Sequence, residues 1–196
     1  MRSCFIVRSQ FRKVLPEFSI FFIFLICFLI TDNILFPIQS KLFGSETIIV
    51  GALIFLPHGV RVISTAVYGL RSIIPLLCAH FLAIIMYVNF FGRSLAIILI
   101  VVSSFCVWLT IFIIYRSKNG LSLDQITFKN IIVVTLVSSV INSVGHDFAK
   151  HFYVIHTHSS LINKELFYYM IGDFLGTLLL FFLYVKFIKK IKDIFH

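Results

Sequence analysis

Charged residues are scarce in this chain, and their scarcity excludes a water-soluble domain. Only 13% of the 196 residues are charged, whereas an average soluble domain has about 25%. Hydrophobic residues make up 60% of the chain, and the mean hydropathy is +1.04. Because no soluble core could bury so much apolar surface, the composition predicts an integral membrane protein.

Enzyme motifs and an extracellular disulfide framework are also missing. The sequence has no P-loop, no G-x-S-x-G and no G-x-G-x-x-G, so we predict no enzymatic activity and no cofactor. Of the four cysteines, Cys4 precedes the first apolar run and Cys27, Cys78 and Cys106 lie within apolar runs. We interpret them as small buried hydrophobic residues.

Long apolar runs predict the fold class. Six of them are near the length of about 20 residues that a spanning helix needs, and lipid requires helices because it cannot satisfy free backbone groups. We therefore predict a single all-α domain over residues 1–196, a bundle of six transmembrane helices with short basic tails at 1–17 and 188–196. The predicted spans are Phe18–Phe36, Thr47–Tyr68, Ile73–Phe90, Leu95–Tyr115, Asn130–Lys150 and Leu166–Phe187.

Lysine and arginine positions predict the orientation. Twelve of the 17 basic residues fall in the two tails and in the connections on the same side of the predicted bundle, and four fall on the other side. Basic segments stay cytoplasmic, so we predict a multi-pass protein of the bacterial inner (plasma) membrane with both termini in the cytoplasm. The expected partner is the lipid bilayer, and no recognition motif suggests nucleic acid. The twelve are Arg2, Arg8, Arg12, Lys13, Arg71, Arg116, Lys118, Lys129, Lys186, Lys189, Lys190 and Lys192.

Arg61 is the most informative residue, because it lies inside the second predicted span. An arginine at mid-membrane depth costs about 2.5 kcal/mol or more on insertion scales, so it normally faces protein or a wet cavity and has a partner. Asp173 and Asp147 are the best candidate counter-ions. The pair either anchors an anionic ligand or only fixes helix packing.

Further polar residues gather in the outer half of the predicted bundle and extend this candidate site. His80 in the third span is predicted to be an interhelical hydrogen bonder. The fourth span, with only Ser103, Ser104 and Thr110, is predicted to be the most lipid-exposed. The ligand-binding or ion-pair candidates are His58, Arg61, Asp173, His146, Asp147, Asn142 and Asp32.

Proline and glycine residues predict local features of the helices. Pro57 and Gly59 flank His58 and predict a kink or a break beside Arg61. Gly172 and Gly176 form a G-x-x-x-G pair, which lets another helix approach closely, either within one bundle or in a dimer.

Histidines in the last outer connection raise the alternative of a metal site. His146, His151, His156 and His158 are weak candidate ligands for zinc or a similar ion. Their spacing matches no established ligand signature, so the prediction is that no metal is bound.

Three short motifs resemble a known family. They are Phe55-Leu56-Pro57-His58-Gly59, then Tyr68-Gly69-Leu70-Arg71 with Pro75, and Gly172-Asp173-Phe174-Leu175-Gly176. They resemble landmarks of the bacterial membrane-associated sensor domain, the first-described multi-helix type found before diguanylate cyclases and histidine kinases. That family shows Trp-Pro-Pro-x-Gly, and here Phe55 and Leu56 stand at the tryptophan and first proline. Because the family has more spans and an output domain, the resemblance implies a short stand-alone relative that signals through a separate partner.

These observations lead to one functional expectation and two alternatives. We expect a sensory or ligand-binding membrane module with an intramembrane polar pocket open toward the periplasmic side. The alternatives are the substrate-binding subunit of a vitamin-type importer, with a transport partner, and a structural membrane subunit. The sequence leaves the ligand and the oligomeric state open.

Overall fold

The described part of the chain is entirely helical. The computed structural model describes residues 2–43, 52–85, 93–122, 125–153 and 159–195. Seven α-helices and two short helical turns follow one another in these ranges. They are α1 (Arg2–Ile30), a π-helical turn (Thr31–Leu35), α2 (Phe36–Phe43), α3 (Leu56–Tyr68), a 3-10 turn (Gly69–Ser72), α4 (Ile73–Ile85), α5 (Arg93–Tyr115), α6 (Phe128–Tyr153) and α7 (Ser159–Phe195).

Five helical stretches in these ranges are long and apolar enough to cross a membrane, so the prediction of six was wrong in number. The all-α class and the multi-pass membrane character are confirmed. The predicted tails at 1–17 and 188–196 are helical as far as Arg2 and Phe195 and continue α1 and α7. The five stretches are Val14–Leu42, Leu56–Ile85, Leu95–Tyr115, Phe128–Ala149 and Leu166–Lys186.

The missing sixth span has a physical reason in the length of α3 and α4. Each of these helices has 13 residues. At 1.5 Å per residue each is about 20 Å long, which is less than the hydrocarbon thickness of about 30 Å. Residues 44–51 and 86–92, into which the two predicted spans extended, lie outside the described residues. The two helices and the turn between them therefore count as one stretch, Leu56–Ile85.

Within that stretch the chain reverses direction at Gly69. Its φ is 57°, in the left-handed region that favours glycine, and a Cβ there would overlap the backbone of Asn119. Val60 of α3 and Ala79 of α4 pack in the same hydrophobic cluster, although 19 residues separate them. A continuous helix would separate them by almost 30 Å, so the chain turns back after α3, and α3 and α4 both pack against α1. We call the two helices and the turn between them the α3–α4 hairpin.

Helix α3 lies at the centre of the bundle. It contacts α1, α5, α6 and α7, and ten of its 13 residues are buried. Helices α6 and α7 pack antiparallel, since Asn142 contacts Asp173 near one end and Phe128 contacts Phe181 near the other. The central position of α3 encloses its polar side chains in protein.

Basic residues collect at one end of this bundle, which we call the basic end. The Leu70 N–H donates to the Lys118 carbonyl oxygen at 3.1 Å, so the α3–α4 turn meets the segment after α5. The start of α6 and the end of the Leu166–Lys186 stretch lie there too. The opposite end carries Lys41, near the end of the Val14–Leu42 stretch. The assignment of the basic end to the cytoplasm stays a prediction.

Candidate intramembrane polar site

The site begins where α3 begins. Residues 52–55 are not helical, and Phe55 has φ −108° and ψ 88°. Their backbone groups find partners in other elements: the Leu53 N–H donates to Gln39 Oε1 at 2.7 Å and the Phe55 N–H donates to the Gly172 carbonyl oxygen at 2.9 Å. Pro57 stands in the first turn of α3, where the N–H it lacks would have no helical partner. The predicted kink or break is thus a helix start.

Glycines bring α7 against this start. A Cβ on Gly172 would overlap the Ala52 carbonyl oxygen, and a Cβ on Gly176 would overlap the Phe55 carbonyl group. From α3, Gly59 faces α7, since its Cβ would lie 3.0 Å from the Thr177 Cα. The G-x-x-x-G pair therefore serves packing within one chain.

Asp173 is the carboxylate at the centre of the site. It is buried on α7 and accepts a hydrogen bond of 2.7 Å at Oδ2 from Asn142 Nδ2. His58 Nδ1 lies 3.2 Å from the same oxygen, and Arg61 Nη2 lies 3.9 Å from Oδ1. The structure thus brings Arg61 to Asp173, one of the two predicted counter-ions, although 3.9 Å exceeds hydrogen-bond distance. Asp147 is half-buried on α6.

Arg61 is buried but only partly hydrogen-bonded. Its side chain is 1% exposed, and Nη1 donates to the Ser103 carbonyl oxygen at 2.8 Å. Its Cζ lies 5.6 Å from the centroid of the Phe55 ring, within cation–π range. Among the described residues its Nε has no hydrogen-bond partner. A guanidinium has five N–H donors, so most of the donor capacity of Arg61 is unused in this arrangement.

A chain of hydrogen bonds leads from Asp173 toward the opposite end. The Ser103 hydroxyl donates to Asn142 Oδ1 at 3.0 Å and lies 2.6 Å from His146 Nε2. Since the hydroxyl has one hydrogen, His146 Nε2 is the donor to Ser103 Oγ when that hydrogen points to Asn142. His146 is half-buried, and its ring contacts Tyr169. The network therefore reaches from the fully buried carboxylate to a partly accessible imidazole.

The depth of the site follows from helix geometry. Asp173 lies seven residues from Leu166, Asn142 lies seven from Ala149, and Ser103 lies eight from Leu95. At 1.5 Å per residue these side chains start about 10–12 Å from the opposite end of spans that are about 31 Å long. The polar residues thus gather in one half of the membrane, the half away from the basic end.

Two serines of this network were not predicted to be site residues from the sequence. The fourth span was predicted to be the most lipid-exposed, and this was wrong: Ser103, Ser104 and Thr110 of α5 are all buried. Ser138 of α6 was not singled out, yet its Oγ lies 3.1 Å from His58 Nε2. The spacing of Ser103 and Thr110, two helical turns apart, was the available signal for a buried face on α5.

His80 faces the same region from α4. Arg61 and His146 both interact electrostatically with it, and its ring centroid lies 5.4 Å from that of Phe24. The interhelical hydrogen bond predicted for His80 is not made by Nδ1, which has no partner among the described residues.

The remaining site candidates are Asp32 and the histidines considered for a metal site. Asp32 is half-buried in the π-helical turn after α1. His151 is exposed on α6, and five residues separate it from His146, which places the two side chains about 140° apart around the helix. His156 and His158 lie outside the described residues. No group of three or more metal-binding side chains occurs in the part of the chain that the structure describes.

Chemically, the site offers a fixed cation, one carboxylate and imidazole groups in a water-poor setting. Such a set can bind a small polar molecule. Comparison of the chain with protein-family models, with curated proteins and with solved structures gives no match. The likeness to membrane-associated sensor domains therefore rests on residues 55–59, 68–75 and 172–176 alone.

Proposed function

We propose that this protein is a membrane-embedded ligand-binding module of the sensory type, in which Arg61 binds a small anionic ligand. The observation that carries the proposal is the state of the Arg61 side chain. It is buried, and within the described ranges it makes one hydrogen bond, of 2.8 Å, and has its nearest carboxylate oxygen 3.9 Å away. A charge in such a setting normally has its donors satisfied.

Asp173 does not use up the donors of Arg61, because other groups hold this carboxylate. Asn142 Nδ2 donates to Oδ2, and His58 Nδ1 lies 3.2 Å from the same oxygen without a hydrogen bond. An anion could therefore bind to Arg61 while Asp173 keeps its hydrogen bond from Asn142. This division of roles favours a ligand site over a pair that only fixes helix packing.

Other buried polar atoms support a ligand of this kind. Within the described residues, Ser104 Oγ, Ser143 Oγ and His80 Nδ1 have no hydrogen-bond partner. They belong to α5, α6 and α4, and the first two of these helices pack against α3. Buried polar groups without partners are rare, and they mark places where water or a ligand completes the hydrogen bonds.

The helix start at Leu56 adds to the attraction for an anion. A helix N-terminus carries partial positive charge, and broken helices in membrane transporters direct such ends at anionic substrates. Phe55, the residue that precedes α3, lies against the guanidinium of Arg61.

His146 is the partly accessible end of the network, so the ligand enters from the end opposite to the basic end. With the predicted orientation this is the periplasmic side, and a separate protein receives the signal.

The test is a thermal-shift screen of the purified protein against small carboxylates and phosphate esters. Arg61→Lys keeps the charge but loses the planar fork of the guanidinium, so it should weaken or abolish the stabilisation by the best anion. Arg71→Lys is the matched control, because Arg71 is 67% exposed and lies far from the site at the basic end.

Each outcome decides for or against the proposal. The proposal is supported if the anion stabilises the wild type and Arg71→Lys but not Arg61→Lys. The melting temperature of Arg61→Lys without ligand must equal that of the wild type, which shows that the variant is folded. Equal stabilisation of all three proteins, or no anion that stabilises the wild type, overturns it.

A further inference from the structure

A groove lies on the lipid-facing side of α3, away from Arg61. It has a volume of about 240 Å³ and runs between α1 and α7, and α3 forms its floor. Helices α1 and α7 both pack against α3, which separates them along this face. The lining includes Pro16 and Ile23 of α1, Val60 and Val67 of α3, and Leu180 and Tyr184 of α7.

The polar groups in this groove are already satisfied, which identifies the chemistry of its occupant. Ser19 donates to the Leu15 carbonyl oxygen at 2.9 Å, and Ser64 donates to the Arg61 carbonyl oxygen at 3.3 Å. Neither hydroxyl needs a partner from an occupant, and the other lining residues apart from two tyrosines are apolar. The groove therefore fits hydrocarbon.

Hydrocarbon alone cannot explain specific binding inside a membrane, because the surrounding lipid is equally apolar. Specificity must come from polar groups at the end of the groove. Tyr68 and Tyr184 line it at the basic end, and tyrosine favours the membrane interface, where one end of the ring is apolar and the other wet. Arg71 lies three residues after Tyr68 and is paired at 2.8 Å with Glu17, the neighbour of Pro16.

Charge complementarity then selects the head group. Arg71 is exposed, and a guanidinium can bind a carboxylate and a phosphate together because it has five N–H donors. The chain carries a net charge of +9, and the described basic end holds Arg116, Lys118 and Lys186 as well. An anionic head group is favoured at such an end over a zwitterionic one.

We propose that this groove is a binding site for an anionic phospholipid, with one acyl chain between α1 and α7 and the phosphate at Arg71. The lipid belongs to the leaflet at the basic end. Its acyl chain covers the face of α3 that α1 and α7 leave open. This site is separate from the proposed ligand site in position and in the chemistry of its ligand.

The experiment measures lipid retained by the full-length protein in native mass spectrometry, after exchange with phosphatidylglycerol or phosphatidylcholine of identical acyl chains. Wild type should retain one phosphatidylglycerol in preference to phosphatidylcholine. Arg71→Gln should reduce that preference by about fivefold, the effect of one basic residue at the membrane surface. Arg116→Gln removes another exposed charge from the basic end and should reduce the preference less than Arg71→Gln does, because Arg71 is the residue placed at the phosphate.

A second pair of variants tests the acyl-chain part of the site. Ile23→Trp fills the groove and should abolish retention of both lipids. Ile113→Trp makes the same change on α5, where Ile113 is 51% exposed, close to the 48% of Ile23, and it should retain lipid as wild type does. Retention by Ile23→Trp equal to that of Ile113→Trp overturns the proposal. The proposal is also overturned if the protein forms a dimer without lipid and Ile23→Trp disrupts this dimer while Ile113→Trp does not. The groove would then hold a second copy of the chain.

Discussion

Asp173 lies beside nitrogen atoms of three side chains from two helices, and its carboxylate is the counter-charge that the described residues bring to buried Arg61. Asn142 Nδ2 and His58 Nδ1 lie 2.7 and 3.2 Å from Oδ2, and Arg61 Nη2 lies 3.9 Å from Oδ1. Attraction between charges is strong where water is excluded, and so is the penalty for an uncompensated charge. The residues at this site are therefore coupled, and a change at one of them is felt through the others.

Neutralising Asp173 should destabilise the protein because it leaves Arg61 buried without a counter-charge. Asp173→Asn keeps the shape of the side chain, and we expect a loss of about 3–5 kcal/mol in the free energy of unfolding. Glu17→Gln makes the same chemical change in the exposed pair with Arg71 and should cost about 1 kcal/mol or less. Thermal or denaturant unfolding in detergent measures both.

The double variant Arg61→Met with Asp173→Asn completes this test. Removing the guanidinium relieves the uncompensated charge, so the double variant should be more stable than Asp173→Asn alone. If Asp173→Asn proves as mild as Glu17→Gln, the charge of Asp173 does not hold Arg61.

At the scale of elements, α3 and α7 form the interface that assembles the site. The residues before α3 are not helical, so their N–H groups need acceptors from other elements. Gln39 Oε1 and the Gly172 carbonyl oxygen are these acceptors. Irregular backbone at this depth is stable only where protein satisfies its hydrogen bonds. Gly176 permits the contact, because a Cβ there would meet the Phe55 backbone, which cannot move independently of the start of α3.

A methyl group at Gly176 should therefore separate α3 from α7. Gly176→Ala should lose about 1–3 kcal/mol of stability, the usual cost of overpacking. Gly145→Ala is the comparison variant and should cost less, since its Cβ would meet the side chain of Val102 rather than backbone atoms. Melting temperatures of the two purified variants make the comparison. Equal melting temperatures would show that α7 does not approach the start of α3 as closely as described.

At the scale of the whole molecule, the α3–α4 hairpin decides how many times the chain changes direction. Arg71 of the hairpin turn lies at the basic end with Arg116, whereas Lys41 lies at the opposite end. A hairpin made of two short helices lets Leu56–Ile85 return to the half of the membrane in which it started. This arrangement places the start of the Val14–Leu42 stretch and the end of the Leu166–Lys186 stretch at the same end of the bundle, in agreement with the distribution of basic residues.

Cysteine labelling with a membrane-impermeant maleimide tests this arrangement. In a background without the four native cysteines, Lys41→Cys should react in intact cells. Arg71→Cys and Arg116→Cys should react only after permeabilisation, because the basic end is predicted to be cytoplasmic. If Leu56–Ile85 instead crosses the membrane as one straight helix, Arg71→Cys lies in its middle and reacts under neither condition.

The sequence by itself determined that the protein lies in a lipid bilayer and that its fold is all-α. Helices in lipid follow from the 60% hydrophobic content and from the lengths of the apolar runs, because no other structure satisfies the backbone there. It also identified Arg61 and Asp173 as candidate site residues, since a charged residue inside an apolar run is visible in the sequence alone. The break beside Pro57 was predictable for the same local reason.

Only the tertiary structure decided the number of qualifying spans and the partners of each polar group. Hydropathy cannot show that α3 starts at Leu56, because the residues before it are equally apolar and their partners Gln39 and Gly172 are distant in sequence. Nor can it assign Ser103 to Arg61, 42 residues away, since a serine in an apolar helix is inexpensive on either face. The approach of α7 to α3 at Gly176 settles which charges meet, and only packing between helices determines that approach.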